Sequence, residues 1–333
     1  MRTFSGWSGT ESGRSFAAGR RWTPTRRRSS GPTRSSGTFS STSADILGAL
    51  RRAIRFVAAG AVVAGVAAPL LRHRLKLPRP LVSVLAWQAP YALTFALPRT
   101  RLRDAGVYAL QMHAYVAHYE MPNDDPDALL RRLRIDYPIK VDRVLGGGMA
   151  PTVRLQRSLG GGEGVVRRHD LWLSWVHWSW FFFPHTSAAY LLWRYPERFP
   201  RAAGQLAATF DLGCIVYWAV PTAPPWWAGK NGNLEPVRRI MVDAGEHYWG
   251  RLWRPLYDSL AGNPLAAMPS LHFGTSVMAA HVLSDVGRGH GALAWGYTGA
   301  LGFALVYLGE HYVVDLLAGL ALAEAVRLGA RRL

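Results

Sequence analysis

Two short polar clusters, Pro269-Ser270-Leu271-His272 and Glu310-His311-Tyr312-Val313-Val314-Asp315, each stand at the start of a strongly apolar segment. His311 and Asp315 are four residues apart, so on a helix they share one face, about one turn from each other. A carboxylate behind an imidazole fixes its tautomer and raises its basicity, which suits the ring to act as nucleophile or base. In the first cluster the proline fits the first helical position, where its missing donor costs nothing, and a helix start offers free backbone amides to an anion. Ser270 adds a hydroxyl and His272 a titratable nitrogen, so the cluster can hold a phosphoryl group and pass it a proton. A histidine and an aspartate at this spacing also serve as a buried structural pair or as two metal ligands. A zinc site usually takes a third protein ligand, however, and the chain has neither an HExxH motif nor a cysteine cluster.

The segments that must position these residues are apolar helices. The 333 residues are 49% hydrophobic with 14 Trp, yet the mean hydropathy is only +0.01 because a polar, basic beginning dilutes the apolar runs. A histidine or aspartate at the mouth of a membrane helix is costly unless paired, wetted or used. The formal net charge of +18 sits mostly in tails and short connections beside apolar runs, which points to membrane topology and not to a nucleic-acid partner. The single cysteine, Cys214, lies inside an apolar run and reads as a small buried hydrophobe.

Residues 1–45 are rich in Arg, Ser, Gly and Thr and read as a disordered basic arm. Residues 46–135 hold amino-terminal membrane and interfacial segments: an apolar run at 57–71, shorter than the roughly 20 residues a span wants, and a better span at 81–97. Residues 98–170 contain no stretch able to cross a bilayer unaided. The triple glycines at 146–148 and 160–162 read as flexible turns, because the lysine and hydroxyl of a phosphate-binding loop are missing. Residues 136–328 form the expected membrane-embedded catalytic domain, with spans at 171–193, 206–220, 270–286, 292–308 and 311–328. His177 and His185 lie eight apart inside the first of these, near one face, where a hydrogen-bonded structural role is the simpler reading. Asp211 calls for an interior partner.

Loop charge orients the last part. Arg194, Arg198 and Arg201 precede the 206–220 span, Arg288 lies in the turn at 287–290, and Arg327, Arg331 and Arg332 close the tail. The positive-inside rule places all three inside, so the 221–268 loop and the starts of the His272 and His311 helices meet on the outer face. Two separate motifs thereby become one candidate site.

Met268-Pro269-Ser270-Leu271-His272-Phe273 and Gly309-Glu310-His311-Tyr312-Val313-Val314-Asp315 resemble the second and third signature motifs of the type 2 phosphatidic acid phosphatase superfamily. The stretch 221–227 and the His-Tyr-Val-Val-Asp form are most similar to its inositol phosphorylceramide synthase (aureobasidin-resistance) branch. The resemblance covers roughly residues 140–325. It implies an all-α, polytopic membrane bundle with a six-helix core and no metal or other cofactor. It further implies that His311 attacks phosphorus, Asp315 orients it and His272 protonates the leaving alkoxide. The chain departs from the phosphatase members in two places. Ala304 and Leu305 stand where those have Ser-Arg, and their first motif, a lysine followed seven residues later by Arg-Pro, survives only as Arg254-Pro255, with His247 at the lysine position. Ser270 and Arg254 are the expected phosphate contacts, with Lys230, Arg238, Arg239 and Arg251 as further cations of the outer loop.

The function expected is a phosphotransferase in a bacterial plasma membrane that moves a phosphoryl or phospho-alcohol headgroup between lipids through a phosphohistidine intermediate, with a lipid phosphate as substrate and an alcohol or water as acceptor. A lipid phosphate or polyprenyl diphosphate phosphatase using the same histidines is the alternative. A transporter or scaffold, with His177, His185 and Asp211 lining a path, is the non-enzymatic one.

Overall fold

The computed structural model describes residues 39–332 except 163 and 261. Contacts divide the chain into two units, Met1–Gly48 and Ala49–Leu333. The arm expected over 1–45 lies almost wholly outside the described residues, and helix begins at Phe39. The architecture is all-α. In chain order the helices are α1 (Phe39–Leu71), α2 (Arg79–Ala96), α3 (Arg101–Glu120), α4 (Pro126–Arg132), α5 (Asp136–Leu145), α6 (Pro151–Leu159), α7 (Arg168–Trp178), α8 (Phe183–Arg194), α9 (Phe199–Ala219), α10 (Pro225–Lys230), α11 (Ile240–Trp249), α12 (Trp253–Leu260), α13 (Leu271–Ser284), α14 (Arg288–Tyr307) and α15 (Val313–Ala330). Among the described residues the β-structure consists of isolated bridges from Thr222 to Arg134 and Ala266.

Helix α13 is the axis of the bundle. It is apolar on all sides, with every residue from Gly274 to Ala280 buried, as expected of a helix enclosed by others. It packs against α14, α15, α9 and α8, while α7 joins α14 and α11, and α3 joins α2 and α9. Small residues bring α13 and α15 together. A Cβ at Gly319 would stand 2.4 Å from the Ser270 carbonyl oxygen, and one at Gly274 would stand 2.8 Å from the Gly319 carbonyl oxygen. Any side chain there would push apart the helix starts that carry the two motifs.

The expected spans at 81–97, 206–220, 270–286, 292–308 and 311–328 correspond within a few residues to the cores of α2, α9, α13, α14 and α15. Three expectations are corrected. The run at 57–71 belongs to the longest helix in the structure. Within it Asp45–Leu71 is the one segment among the described residues long and apolar enough to cross a membrane. Helix α13, at 14 residues, rises only about 21 Å, against roughly 30 Å of hydrocarbon. The expected single span at 171–193 is broken into α7 and α8 by a 3-10 turn, Ser179–Phe181. Pro184 explains the break: it has no amide to donate, and its ring would clash with the carbonyl of Trp180, four residues back. Residues 98–170, expected to hold no span, carry four short-to-medium helices, of which α3 lays Ala114, Tyr115, Ala117 and His118 into the interior.

Candidate functional site

Both motifs are built on helix starts. Ser270, fully buried, is the N-cap of α13: its hydroxyl oxygen accepts the Phe273 amide at 3.3 Å, and its own amide donates to the Asp315 carbonyl at 2.9 Å. Tyr217 of α9 fixes the approach. Its hydroxyl donates to the Pro269 carbonyl at 2.7 Å and accepts the Leu271 amide at 3.3 Å. At the other start, Asp315 folds back so that Oδ2 accepts the Tyr312 amide at 2.9 Å. Asp142 of α5, fully buried, caps the same turn by accepting the Val313 and Val314 amides, each at 3.0 Å, on separate oxygens. Two carboxylates thus occupy the start of α15, where free amides and the helix dipole favour negative charge.

These starts bring the expected residues into one chain of contacts. Asp315 Oδ2 lies 3.3 Å from His311 Nδ1, and His311 Nε2 lies 3.1 Å from His272 Nδ1. An ionised carboxylate only accepts, so the proton sits on His311 Nδ1, the lone pair on Nε2 faces His272, and His272 Nδ1 donates to it. His272 is packed between the rings of Trp180, His177 and His311, at centroid distances of 4.1, 5.0 and 5.3 Å. His177 comes from α7, is 3% exposed, and has a hydrogen-bond partner for neither ring nitrogen. A buried polar atom left unpaired costs about 1–3 kcal/mol. The structural histidine expected there would have had a partner, so that expectation does not describe the residue as placed.

The cations sort by depth. Arg239 makes a two-pronged pair with Glu310, Nε to Oε1 at 2.8 Å and Nη2 to Oε2 at 3.0 Å, with its guanidinium 4.2 Å from the Trp226 ring centre. Burial pushes the Glu310 carboxyl up, but Arg239 foremost, with His177 and His311, brings it below the ordinary glutamate value. Gly309 makes this placement possible. Its φ of +83° turns the chain out of α14, and the Arg238 carbonyl passes so close that a Cβ would stand 2.6 Å from its oxygen. Arg254 is more peripheral, with a side chain 66% exposed and paired with Glu246. Arg239, Arg238, Arg254 and Lys230 all line one cleft of about 870 Å³. Arg238 is itself committed to Asp243 at 2.6 Å and to the carbonyls of the glycine-rich loop. Among the described residues no group of acids, histidines and cysteines is arranged to hold a metal ion.

A family model described as the PAP2 superfamily matches residues 161–328, half of the chain, and takes in every member of this cluster except Asp142. The chain belongs to the PAP2 superfamily. Over 122 residues it is 32% identical to "Inositol phosphorylceramide synthase catalytic subunit aur1" of Schizosaccharomyces pombe, a match that covers 34% of this chain and 28% of that relative. No solved structure matches the chain significantly. The chain is thus an enzyme of the phosphatase or phosphotransferase kind. In this PAP2 chain Ala304 and Leu305, at the place of the phosphatases' Ser-Arg, are fully buried in the core and bring no cation to the site.

His272, His311 and Asp315 were readable from local spacing. Asp142 and the open nitrogens of His177 were not singled out, and Arg239 was named only as one of several outer-loop cations, because each reaches the site from a distant segment. The one available signal was the run Glu310-His311, which places an acid in need of a cation beside the candidate nucleophile.

Proposed function

We propose that this PAP2 protein is an integral-membrane phosphotransferase that passes a phosphoryl or phospho-alcohol headgroup between lipids through a phosphohistidine at His311. The relay Asp315–His311–His272 is the observation that carries this reading. In the first half-reaction His311 Nε2 forms a bond to phosphorus, the phosphorus–oxygen bond of the donor breaks, and His272 passes a proton to the departing alkoxide. In the second, the oxygen of an acceptor alcohol attacks phosphorus, the phosphorus–nitrogen bond breaks with its electron pair returning to His311, and His272 takes the acceptor's proton. Asp315 holds the tautomer throughout. Arg239, stacked on Trp226 and held next to His311 by Glu310, grips the phosphate oxygens, and Arg254 and Lys230 draw the headgroup into the cleft from outside.

The membrane setting is supported by the apolar outer faces of the bundle, where Trp193, Phe182, Ile215, Leu293 and Phe303 are exposed. In this reading the histidines face the extracytoplasmic side, a reading supported by the opposite end, which carries Arg198, Arg201, Arg327 and Arg331 around one cavity. The test uses purified full-length protein with ³²P-labelled phosphatidic acid, with and without a long-chain alcohol. Labelled alkyl phosphate is the expected product. Inorganic phosphate alone, at every alcohol concentration, would leave the phosphatase alternative standing in its place.

A further inference from the structure

We propose that His177 is the hydroxyl-binding residue of the acceptor, and that it directs the phosphoryl group to an alcohol in preference to water. This deepens the phosphohistidine reading above and rests on it. Three observations converge on the residue. Its ring is almost completely buried, and neither nitrogen has a partner, although a neutral imidazole carries one donor and one acceptor. That ring lies against His272, the residue that exchanges protons with the oxygen leaving or entering at phosphorus. One turn earlier on the same side of α7, Ser174 is fully buried with its hydroxyl likewise unpartnered, so this face of α7 offers unmet hydrogen-bonding capacity next to the reacting centre.

The chemistry of the second half-reaction identifies what can fill it. The acceptor oxygen gives its proton to His272 and one lone pair to phosphorus, and a second lone pair stays free to accept a hydrogen bond. A neutral imidazole N–H supplies that bond without competing with Arg239 for the anionic phosphoryl oxygens. The site walls fit an alcohol with an apolar chain better than a mobile water. Trp180 covers His272 on one side, and Trp178, the chain neighbour of His177, packs against Trp253 and Trp249. His177 thereby holds the alcohol oxygen in line with the phosphorus–nitrogen bond. Water, with no chain to anchor it, gains less from the same contact.

The experiment reads the partition of one intermediate. Full-length protein is given ³²P-phosphatidic acid and increasing 1-dodecanol, and the ratio of labelled dodecyl phosphate to inorganic phosphate is measured. Both products arise from the same phosphohistidine, so the ratio does not depend on how much enzyme is folded or on how fast the intermediate forms. His177→Leu is expected to lower the ratio by about tenfold or more, and His177→Gln, which keeps a donor, by clearly less. An unchanged ratio in His177→Leu would overturn the proposal and return the residue to packing. Equal losses in the Leu and Gln variants would do the same, since shape and not hydrogen bonding would then be the cause. Turnover that survives His311→Ala would instead remove the phosphohistidine on which the proposal stands, so the two failures read differently.

Discussion

Helices α13 and α15 run side by side in the same direction, and each end of the pair carries histidine and a carboxylate. At one end are His272, His311 and Asp315; at the other, His281 of α13 meets Glu324 and Arg327 of α15. The residue types are nearly the same, yet the settings differ. The His311 and Asp315 side chains are 5% and 0% exposed, and the carboxylate also takes a backbone amide at a helix start. Glu324 is 41% exposed two-thirds of the way along its helix, with Arg327 supplying a charge partner. A histidine beside a carboxylate is therefore not by itself a catalytic device. Burial, a tautomer fixed by an acceptor-only partner and a nitrogen left facing a proton donor make it one, and only the first end has all three.

The largest difference between the ends should appear in turnover. His311→Ala is expected to lower turnover of a lipid phosphate by about 10⁴-fold or more, because it removes the nucleophile. His281→Ala, measured alongside in the same micelles, is expected to stay within about threefold of the parent, since a partly exposed ion pair contributes little. Comparable losses in both would mean that the two ends work as one relay, and the contrast drawn above would fail. Trapping of acid-labile, base-stable label on the protein, present in His281→Ala and absent in His311→Ala, checks the same point without product analysis.

A smaller effect separates the cations. Arg239→Lys keeps the charge but loses the two-pronged geometry toward Glu310 and the flat stacking on Trp226, so KM for the donor is expected to rise about 10- to 100-fold. Arg254→Lys, at an exposed side chain paired with Glu246, is expected to move KM by no more than about twofold. Saturation curves for the two variants decide the order, and a larger rise for Arg254→Lys would transfer the phosphate contact to the outer residue.

The part of the site readable from sequence is the part built by short spacing. The spacing of four from His311 to Asp315 fixes a shared helical face whatever surrounds them, and Ser270 marks a helix start by local chemistry alone, whereas Pro269, expected at the first helical position, stands one residue before the cap. Arg239 stands 71 residues before Glu310, and Asp142 stands 171 before Val313, so only packing could join them to the site. The helices were readable in the same measure. Apolar length located α2, α9, α13, α14 and α15. It missed the continuation of α1 through Arg51, Arg52 and Arg55, because charged residues on an exposed helix face do not break a helix. It also ran α7 into α8, because hydropathy does not register that Pro184 has no amide to donate. Residues 98–170 were read by their failure to be membrane-like, which says nothing about α3 or about the capping role of α5.

Asp142 offers the next sharpening, through stability. Asp142→Asn keeps one acceptor oxygen and replaces the other with a donor that faces an amide donor, so one of the two caps on α15 is lost. A loss of about 1–2 kcal/mol is expected, read as a lower unfolding midpoint of the purified protein in detergent. Because the same turn carries His311 and Asp315, turnover should fall with it, and by more than the unfolded fraction accounts for. A midpoint that drops with turnover per folded molecule unchanged would make Asp142 a cap and nothing else.

The smallest effect is expected at the far end. Glu324→Gln removes the charge but keeps an acceptor for His281, and Arg327 remains beside the ring. With Glu324 41% exposed, water and salt already screen most of what the charge contributes, so stability should change by less than about 0.5 kcal/mol. Turnover should stay at the parent value over the same salt range. This null result has content because it is asked of the same two helices. If Glu324→Gln alters turnover without altering stability, then charge at one end of α15 is felt at the other, and the helix pair couples its two histidine clusters instead of merely carrying them.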